Sequence, residues 1–209
     1  MANKKYYGTI INNVVPMMIG RKPMIEEKIL LAVLKLFEEK GIHFTTLDLA
    51  TELKTSKRTI YAYFPSKDVI LEKTIDFVFQ NMRESDHRIL ENQSLSIRER
   101  IGLYLNNVPD VYSISALIHQ LDDLKQYYPR LGEKMDDYLD NTWDDFMILL
   151  EEGISKKEIE AVDTTILKIM LKETLKKLLD YNTMIQSGYE FHIALNAMSY
   201  IVLQGIYKR

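Results

Sequence analysis

Three aspartates lie on one side of a helix-like segment in the second half of the chain. Asp136, Asp137 and Asp140 have the spacing DDxxD, and carboxylates at positions i, i+1 and i+4 share one side of an α-helix. Their oxygens suit magnesium bound to a diphosphate, so one hypothesis is a magnesium-dependent prenyl-type enzyme. Against it, the chain lacks a clear second acidic motif facing the first. Asp144 and Asp145 continue the same stripe, which is typical of a solvated helix face.

The other residue types give no second candidate for catalysis. The chain has no cysteine, which excludes disulfides, thiolate metal sites and a thiol nucleophile, and which fits a reducing, cytoplasmic environment. Its four histidines form no Glu-x-x-His or His-x-x-x-His pair. No glycine-rich phosphate loop and no Gly-x-Ser-x-Gly sequence occurs. We therefore expect no enzyme, no metal site and no cofactor.

The segment TSKRTIYAYFPSK at 55–67 has the residue types of a nucleic-acid contact. Lys57 and Arg58 would lie at the start of a short helix, from which they can donate to guanine O6 and N7 in a major groove. Tyr61, one turn later, can pack on a thymine methyl or bind a phosphate. The segment is therefore a candidate for contacting bases.

The distribution of charge agrees with this placement. The net charge of the 209-residue chain is −3, but residues 1–73 carry 12 basic and 8 acidic side chains, whereas residues 74–209 carry 15 and 22. A basic N-terminal part therefore precedes an acidic remainder, and it is the N-terminal part that could approach phosphates.

Three short helices are predicted to position these residues. The apolar spacing from 24 to 40 is that of an amphipathic helix, and Gly41 ends it. A second helix begins at Thr45 or Thr46 and ends near Leu53. Ser56 caps a third helix, which Pro65 ends. A tight turn between the second and third helices predicts a helix-turn-helix unit.

The remainder of the chain is predicted to be helical as well, which makes the fold class all-α. Ser66 caps a fourth helix, and no convincing strand pattern or membrane-spanning run is present. The predicted segments are 68–91, 97–107, 110–127, 131–152, 163–181 and 189–207, with Pro109, Pro129, Gly153 and Gly188 as separators.

Three stretches of the N-terminal part carry a family likeness: LFEEKG at 36–41, TTLDLA at 45–50 and TSKRTIYAYFPSKDVIL at 55–71. They resemble the DNA-binding domain of TetR/AcrR-type bacterial transcriptional regulators. The resemblance implies an N-terminal helix-turn-helix domain joined to a larger helical ligand-binding and dimerisation domain. It divides the chain into a DNA-binding domain at 21–67 and a body at 68–209, after an N-terminal extension at 1–20 whose first 16 residues, by our hypothesis, precede the true start.

The resemblance also implies roles for individual residues of the DNA-binding domain at 21–67, called the head below. Thr46 and Ser56 would face phosphates from helix N-termini, and an arm formed by Arg21 and Lys22 would reach the minor groove. The full set of expected DNA contacts is Thr46, Ser56, Lys57, Arg58, Thr59, Tyr61, Tyr63 and Lys67. Thr59, Tyr63 and Lys67 are expected to hold the DNA backbone, and Lys57, Arg58 and Tyr61 to meet base edges.

Three positions depart from the pattern of this family. Lys54 stands where glycine is common in the turn between the second and third helices, so the turn must either strain a non-glycine residue or take another geometry. Arg58 stands where glycine is frequent and Ala62 where histidine is frequent. These changes concern the operator sequence and not the fold.

The body has residues that suit an adaptable apolar pocket. Aromatic and methionine side chains at helical spacing are usually core residues, but the resemblance implies a cavity for a small apolar effector between the middle helices. The residues predicted to line it are Tyr104, Tyr112, His119, Trp143 and Met147. Of these, His119 is expected to be buried and hydrogen-bonded.

The last two predicted helices, 163–181 and 189–207, are apolar on more than one face. A helix with two apolar faces usually packs on a partner, and two-fold homodimers are the most frequent oligomers. The residues predicted for the dimer interface are Ile166, Met170, Leu178, Ala194, Ala197, Met198 and Ile201.

Three hypotheses are left open. In the first, a dimer binds a palindromic operator on double-stranded DNA and is a repressor released by an effector. In the second, the chain binds DNA and has no small-molecule effector. The third is the magnesium-dependent prenyl-type enzyme.

Overall fold

The computed structural model describes residues 24–107, 117, 119–179, 188 and 191–207. Its helices are α1 (Ile25–Lys40), α2 (Thr46–Glu52), α3 (Lys57–Tyr63), α4 (Lys67–Leu90), α5 (Ile97–Leu105), α6 (Leu121–Tyr127), α7 (Pro129–Asp140), α8 (Asp144–Ser155), α9 (Thr164–Leu179) and α10 (Phe191–Ile206). The all-helical fold class is confirmed. In the described part of the chain, β-type pairing is limited to one antiparallel bridge between Ile159 and Tyr207. The N-terminal extension, Arg21, Lys22 and Tyr112 lie outside the described residues.

Hydroxyl side chains begin the helices of the head at the predicted places. Thr45 caps α2, because its side chain accepts a hydrogen bond from the Asp48 amide at 3.1 Å while the Asp48 carboxylate accepts from the Thr45 amide at 2.7 Å. The Ser56 and Ser66 side chains cap α3 and α4 by accepting from the amides of Thr59 and Val69. Each cap satisfies an N–H group that a helix start leaves free, and these local bonds determine where each helix of the head begins.

The turn between α2 and α3 takes the strained option. Lys54 adopts φ +50°, in the left-handed region where a glycine is usual. Its amide donates to the Thr51 carbonyl at 3.1 Å, and the Thr55 amide donates to the Ala50 carbonyl at 2.9 Å. These bonds close the C-terminus of α2 and give the tight turn that the sequence predicts.

Buried apolar side chains form two clusters. The head cluster joins α1–α3 and the first half of α4 to α6 and α7; its members include Phe37, Leu49, Ile60, Ile70, Ile75, Leu117, Leu124, Leu131 and Met135. The body cluster joins the end of α4 to α5, α8, α9 and α10; its members include Ile89, Ile97, Ile101, Tyr104, Trp143, Phe146, Leu150, Leu171 and Leu195. Helix α4 is shared, and body helices α6 and α7 pack on the head. The division of the chain at residues 67 and 68 stays a prediction.

The prediction of one helix over 131–152 is wrong. Pro129 begins α7 as its first residue, and the chain leaves the helical path between α7 and α8. At this break the Tyr104 hydroxyl donates to the Thr142 carbonyl at 2.5 Å, which satisfies a backbone group that the interrupted helix leaves free. This tertiary contact from α5 stabilises the break, and the hydrophobic periodicity of the sequence gives no sign of it.

Gly153 is predicted to separate two helices, and this prediction is wrong. The residue lies inside α8. A Cβ at this position would lie 2.9 Å from the Ile97 Cγ2 atom and 3.0 Å from the Ile159 Cγ1 atom. The glycine is therefore needed for the close approach of α8 to its neighbours, and the helix continues to Ser155. No helix of the described residues is long and apolar enough to cross a membrane.

Candidate nucleic-acid interface

Helix α3 has one buried and one exposed face. Ile60 is fully buried in the head cluster, whereas Lys57, Arg58, Tyr61 and Tyr63 are exposed. The helical repeat brings Lys57, Arg58 and Tyr61 together at and after the helix start, where side chains of a groove-lying helix meet base edges. Four of the DNA contacts that the sequence predicts are therefore exposed on α3, whereas Thr59, also predicted, is half-buried.

Hydroxyl groups tie α2 to α3 beside this face. The Tyr61 hydroxyl and the Thr46 hydroxyl are hydrogen-bonded at 3.0 Å, and Thr46 is the first residue of α2. The Ser56 hydroxyl accepts from the Thr59 amide at 3.1 Å and is also bonded to the Thr59 hydroxyl at 2.9 Å. These bonds restrict the side chains before any DNA is bound, which lowers the entropy cost of ordering them.

The basic residues of the head divide into paired and unpaired groups. Lys40 donates to the Asp48 carboxylate at 2.5 Å, and this bond, with those from Thr45, holds the pKa of Asp48 well below its usual range. In contrast, Lys57 and Arg58 form no ion pair with any described residue. The uncompensated positive charge of the head thus includes the exposed start of α3, where it can attract phosphates.

Lys67 is partly used inside the protein. Its Nζ atom donates to the Ile42 carbonyl at 2.5 Å and lies 4.7 Å above the centroid of the Phe44 ring. Burial lowers the pKa of Lys67. The ammonium group has three donors, so two stay available for a phosphate oxygen. Its expected phosphate contact stays a prediction.

Gln120 was not identified from the sequence, although it connects the body to the head. Its Oε1 atom accepts from the Ile42 amide at 3.0 Å and its Nε2 atom donates to the Phe37 carbonyl at 3.3 Å. The residue is buried in the stretch between Leu117 and Leu124, which belong to the head cluster. A polar residue at helical spacing within an apolar stripe was the available signal.

Three predicted effector residues lie together in the body cluster. Tyr104, Trp143 and Met147 are buried there, and the Tyr104 ring stacks on that of Phe146 at 5.1 Å between centroids. The Trp143 ring lies 6.4 Å from that of Tyr104. His119, in contrast, is exposed, so its expected burial is wrong. Its neighbour Gln120 turns inward instead, and His119 therefore does not share the buried surroundings of the other three.

Comparison with known proteins places this arrangement in a family. Residues 29–74, which contain most of α1 and all of α2 and α3, match the family described as bacterial regulatory proteins, tetR family. The chain is also 26% identical over 182 residues to the uncharacterized HTH-type transcriptional regulator YvaF of Bacillus subtilis (strain 168), which covers 87% of this chain and 95% of the relative. The helix-turn-helix region therefore matches the TetR family, and the two findings together support a TetR-family DNA-binding transcriptional regulator.

Solved structures share the fold of this chain along most of its length. A transcriptional regulator from Saccharomonospora viridis in complex with choline has a TM-score of 0.68 and 20% identity, over 88% of this chain and 98% of that one. The regulator FadR from Bacillus subtilis in complex with stearoyl-CoA has a TM-score of 0.58 and 22% identity, over 87% and 99%. At these identities the likeness concerns the fold.

The magnesium hypothesis is not supported by the contacts of these aspartates. In the DDxxD motif at 136–140, Asp136 pairs with Lys125 at 2.9 Å and Asp140 pairs with Lys172 at 2.8 Å. The hydrogen bond from Lys172 lowers the pKa of Asp140. These carboxylates therefore bind lysines of α6 and α9, as expected for a charged helix face.

Helices α9 and α10 of the regulator carry exposed apolar side chains. Ile166 and Met170 on α9 and Ile201 on α10 are each more than half exposed in the single chain. Ala197 is exposed and Ala194 half-buried, which leaves room for a close approach. Two predicted interface residues point elsewhere: Met198 is buried in the body cluster, and the half-buried Leu178 packs against it. Met198 is therefore removed from the predicted interface.

Proposed function

We propose that this regulator is a homodimeric cytoplasmic repressor that binds an inverted-repeat operator and is released by a small-molecule effector. The DNA-binding part of this proposal rests on two exposed cations at the start of α3, Lys57 and Arg58, which form no ion pair with any described residue. Arginine and lysine can donate two hydrogen bonds to a guanine edge, and the surrounding hydroxyl groups hold the helix against the backbone.

Dimerisation would bring two such heads to one DNA duplex. The proposed interface is formed by α9 and α10, since Ile166, Met170 and Ile201 expose apolar surface to solvent in the single chain. A two-fold dimer buries the same patch on both subunits, and its symmetry requires two half-sites in inverted orientation. The operator would accordingly be a palindrome with half-sites in successive major grooves.

The body cluster is the proposed effector site. Tyr104, Trp143 and Met147 lie there, at the level where α4, α5 and α8 meet. Two regulators of the same fold are in complex with choline in one case and with stearoyl-CoA in the other, which supports ligand binding by a regulator of this fold. The two ligands are chemically different, so the effector of this chain has to be inferred from its own residues.

The effector would act on the head through α4 and α6. Helix α4 begins in the head and ends in the body cluster, and Gln120, just before α6, binds the backbone of Phe37 and Ile42. An effector that binds better when the heads are wrongly spaced weakens DNA binding by the same coupling free energy, about 1–3 kcal/mol in typical cases.

Selection of random duplex DNA with the purified full-length protein tests this proposal. Enriched sequences are then measured by fluorescence anisotropy at two salt concentrations. We expect an inverted repeat whose binding weakens steeply with salt, because phosphate contacts release counterions. Enrichment of a single half-site would contradict the dimer. No enrichment at all would contradict a repressor that binds DNA in the absence of its effector.

A further inference from the structure

Asp86 is a buried carboxylate without a cationic partner in the described part of the chain. It lies on α4, where that helix passes from the head cluster to the body cluster, and it is 8% exposed. Its Oδ1 atom accepts from the Nδ2 atom of Asn107 at 2.7 Å, and the Ser85 hydroxyl donates to the Asn107 Oδ1 atom at 3.0 Å. A neutral amide compensates a buried carboxylate only in part, because the negative charge is still removed from water.

The groups that face Asp86 make its surroundings more negative. Burial raises the pKa of Asp86 to about 7, and the charge of Asp145 on α8 raises it as well, against the hydrogen bond from Asn107. Burial and the charges of Asp86, Asp145 and Asp144 raise the pKa of Tyr104 on α5. Aromatic faces add negative potential. This side of the body cluster therefore favours positive charge.

The buried arginine of α5 does not supply that charge. Arg100 donates from Nη1 to the Leu90 carbonyl at 2.8 Å, and its Nη2 atom lies 3.6 Å from the Glu152 carboxylate. Its guanidinium is thus engaged at the C-terminus of α4, with its own carboxylate partner.

Trp143 adds a second, independent observation. It is 4% exposed, and its Nε1 atom is buried with no hydrogen-bond acceptor. A buried N–H group without a partner is costly, so it is expected to gain an acceptor in some state of the protein. The Trp143 ring contacts those of Tyr104 and Phe146, with centroids 6.4 and 6.0 Å away.

We propose that the effector is a small organic cation that also carries a hydrogen-bond acceptor, with its ammonium group held by the Asp86 carboxylate and by the rings of Tyr104 and Trp143. This inference rests on the proposed effector function of the body cluster. It replaces the purely apolar effector that the sequence predicts. A cation on an aromatic face is stabilised most when both are removed from water, and the acceptor of the ligand satisfies the Trp143 N–H group.

Ligand entry explains how this site reaches the head. The rings of Tyr104, Trp143 and Phe146 pack against one another, so a ligand must separate them. Asp86 lies on α4, and attraction of its carboxylate to the cation acts directly on the helix that begins in the head at Lys67. Binding of the cation therefore acts on the position of α4, the helix that both clusters share.

The test compares charged probes with uncharged ones of the same shape. Choline, benzyltrimethylammonium and spermidine are added to the full-length protein, with 3,3-dimethylbutan-1-ol as the neutral analogue of choline. Thermal shift identifies binders, and calorimetry gives the Kd. At least one cation is expected to bind, and the neutral analogue to bind at least about ten-fold more weakly. If none of the three cations binds better than the neutral alcohol, the proposal is overturned.

Variants locate the cation. Asp86→Asn keeps the shape of the side chain and removes its charge, so it is expected to weaken cation binding at least about ten-fold. Glu84→Gln, an exposed acid on the same helix, is the matched control and is expected to bind as the wild type does. Binding by the wild type should also weaken about ten-fold per pH unit below pH 7, because a proton competes with the cation for Asp86. Equal binding by Asp86→Asn, or binding that is unchanged between about pH 6 and pH 8, would overturn the assignment.

Failure of this inference can be told apart from failure of the proposed function. Operator release is measured by anisotropy in the presence of the cations and of an uncharged metabolite set. Release by an uncharged compound alone would leave the repressor proposal standing and would overturn the cationic effector. Release by no compound would contradict the effector function itself.

Discussion

The head and the body of this regulator treat buried polar groups differently. In residues 24–67, hydroxyl caps at Thr45, Ser56 and Ser66 satisfy helix starts, and each buried side-chain nitrogen or oxygen has a hydrogen bond. The body cluster instead contains Trp143 Nε1 and Arg100 Nε without partners, and Asp86 lies at its edge. The head is locally complete before it meets DNA, whereas the body retains groups that a ligand can satisfy.

This difference separates the two tasks in energetic terms. Base contacts cost less entropy when the side chains are already oriented, and the capped helices of the head provide this order before DNA binds. Responding to a ligand needs a state that the ligand improves, and buried polar groups with incomplete partners provide it. Variants of the two regions should therefore have different effects. Changes in the head should weaken DNA binding, and changes at the buried polar groups of the body should increase stability.

Arg58→Ala gives the largest expected effect. Arg58 is exposed and makes no ion pair with a described residue, so the folded head should be unchanged. The loss of a bidentate base contact costs about 1–3 kcal/mol per head, and the proposed dimer would bind each operator with two heads, so the affinity should fall at least about 30-fold. Anisotropy on the selected operator measures this loss. Arg88→Ala, an exposed arginine on the body part of α4, is the control. Equal affinities of the two variants would remove Arg58 from the base contacts.

Asp86→Asn should show the opposite behaviour, a gain in stability that depends on pH. The folded-state pKa of Asp86 is about 7, above its ordinary value of 3.8, so the folded protein binds this proton more tightly than the unfolded chain does. The free energy of unfolding of the wild type therefore decreases as pH rises from about 4 through 7, by at most about 4 kcal/mol at roughly 1.4 kcal/mol per pKa unit. Asparagine does not titrate, so the variant avoids this loss.

Urea denaturation at one fixed protein concentration checks the sign. The difference in stability between the two proteins should be smaller at about pH 5 than at about pH 8, because the wild type has lost only part of this free energy at about pH 5. At about pH 8 the variant should be more stable. The control is Glu84→Gln, which should follow the wild type at both pH values. A variant that is less stable at about pH 8 would mean that the carboxylate has a stabilising partner.

The same comparison explains how far the sequence could be read. In the head, cap residues such as Thr45 and Ser56 act within three residues of themselves, so helix starts and the exposed face of α3 were predicted correctly. In the body, the break before α8 depends on Tyr104, 38 residues away, and Gly153 continues a helix because of Ile97 and Ile159. Contacts of this range leave no periodic signal. The buried position of Asp86 was invisible for the same reason.

Gln120→Leu tests the connection between the two regions. The change removes the acceptor of the Ile42 amide and the donor to the Phe37 carbonyl, and it leaves both backbone groups buried. A cost of about 1–3 kcal/mol is expected, confined to the attachment of α6 to the head. Hydrogen exchange should therefore be at least about five-fold faster at the Ile42 amide and unchanged at Leu150 in the body cluster. Gln126→Leu, an exposed glutamine on α6, is the control. Unchanged protection of Ile42 would show that α6 is held by apolar packing alone.

Lys54→Gly has the smallest expected effect. Its control is Lys157→Gly, at an equivalent turn of the body. Lys54 after α2 has φ +50° and Lys157 after α8 has φ +60°, and each turn is closed by the same two backbone hydrogen bonds. Glycine relieves a left-handed cost of about 1–2 kcal/mol but adds flexibility to the unfolded chain, so each variant should gain at most about 1 kcal/mol.

Operator binding then distinguishes the two lysines. Lys54 is exposed beside the start of α3, so its loss should weaken binding slightly and reduce the salt dependence by about one counterion per head. Lys157→Gly should be equally stabilised and bind as the wild type does. If both variants bind equally well, Lys54 makes no phosphate contact, and the strain in the head is then a cost of the turn alone, as it is in the body.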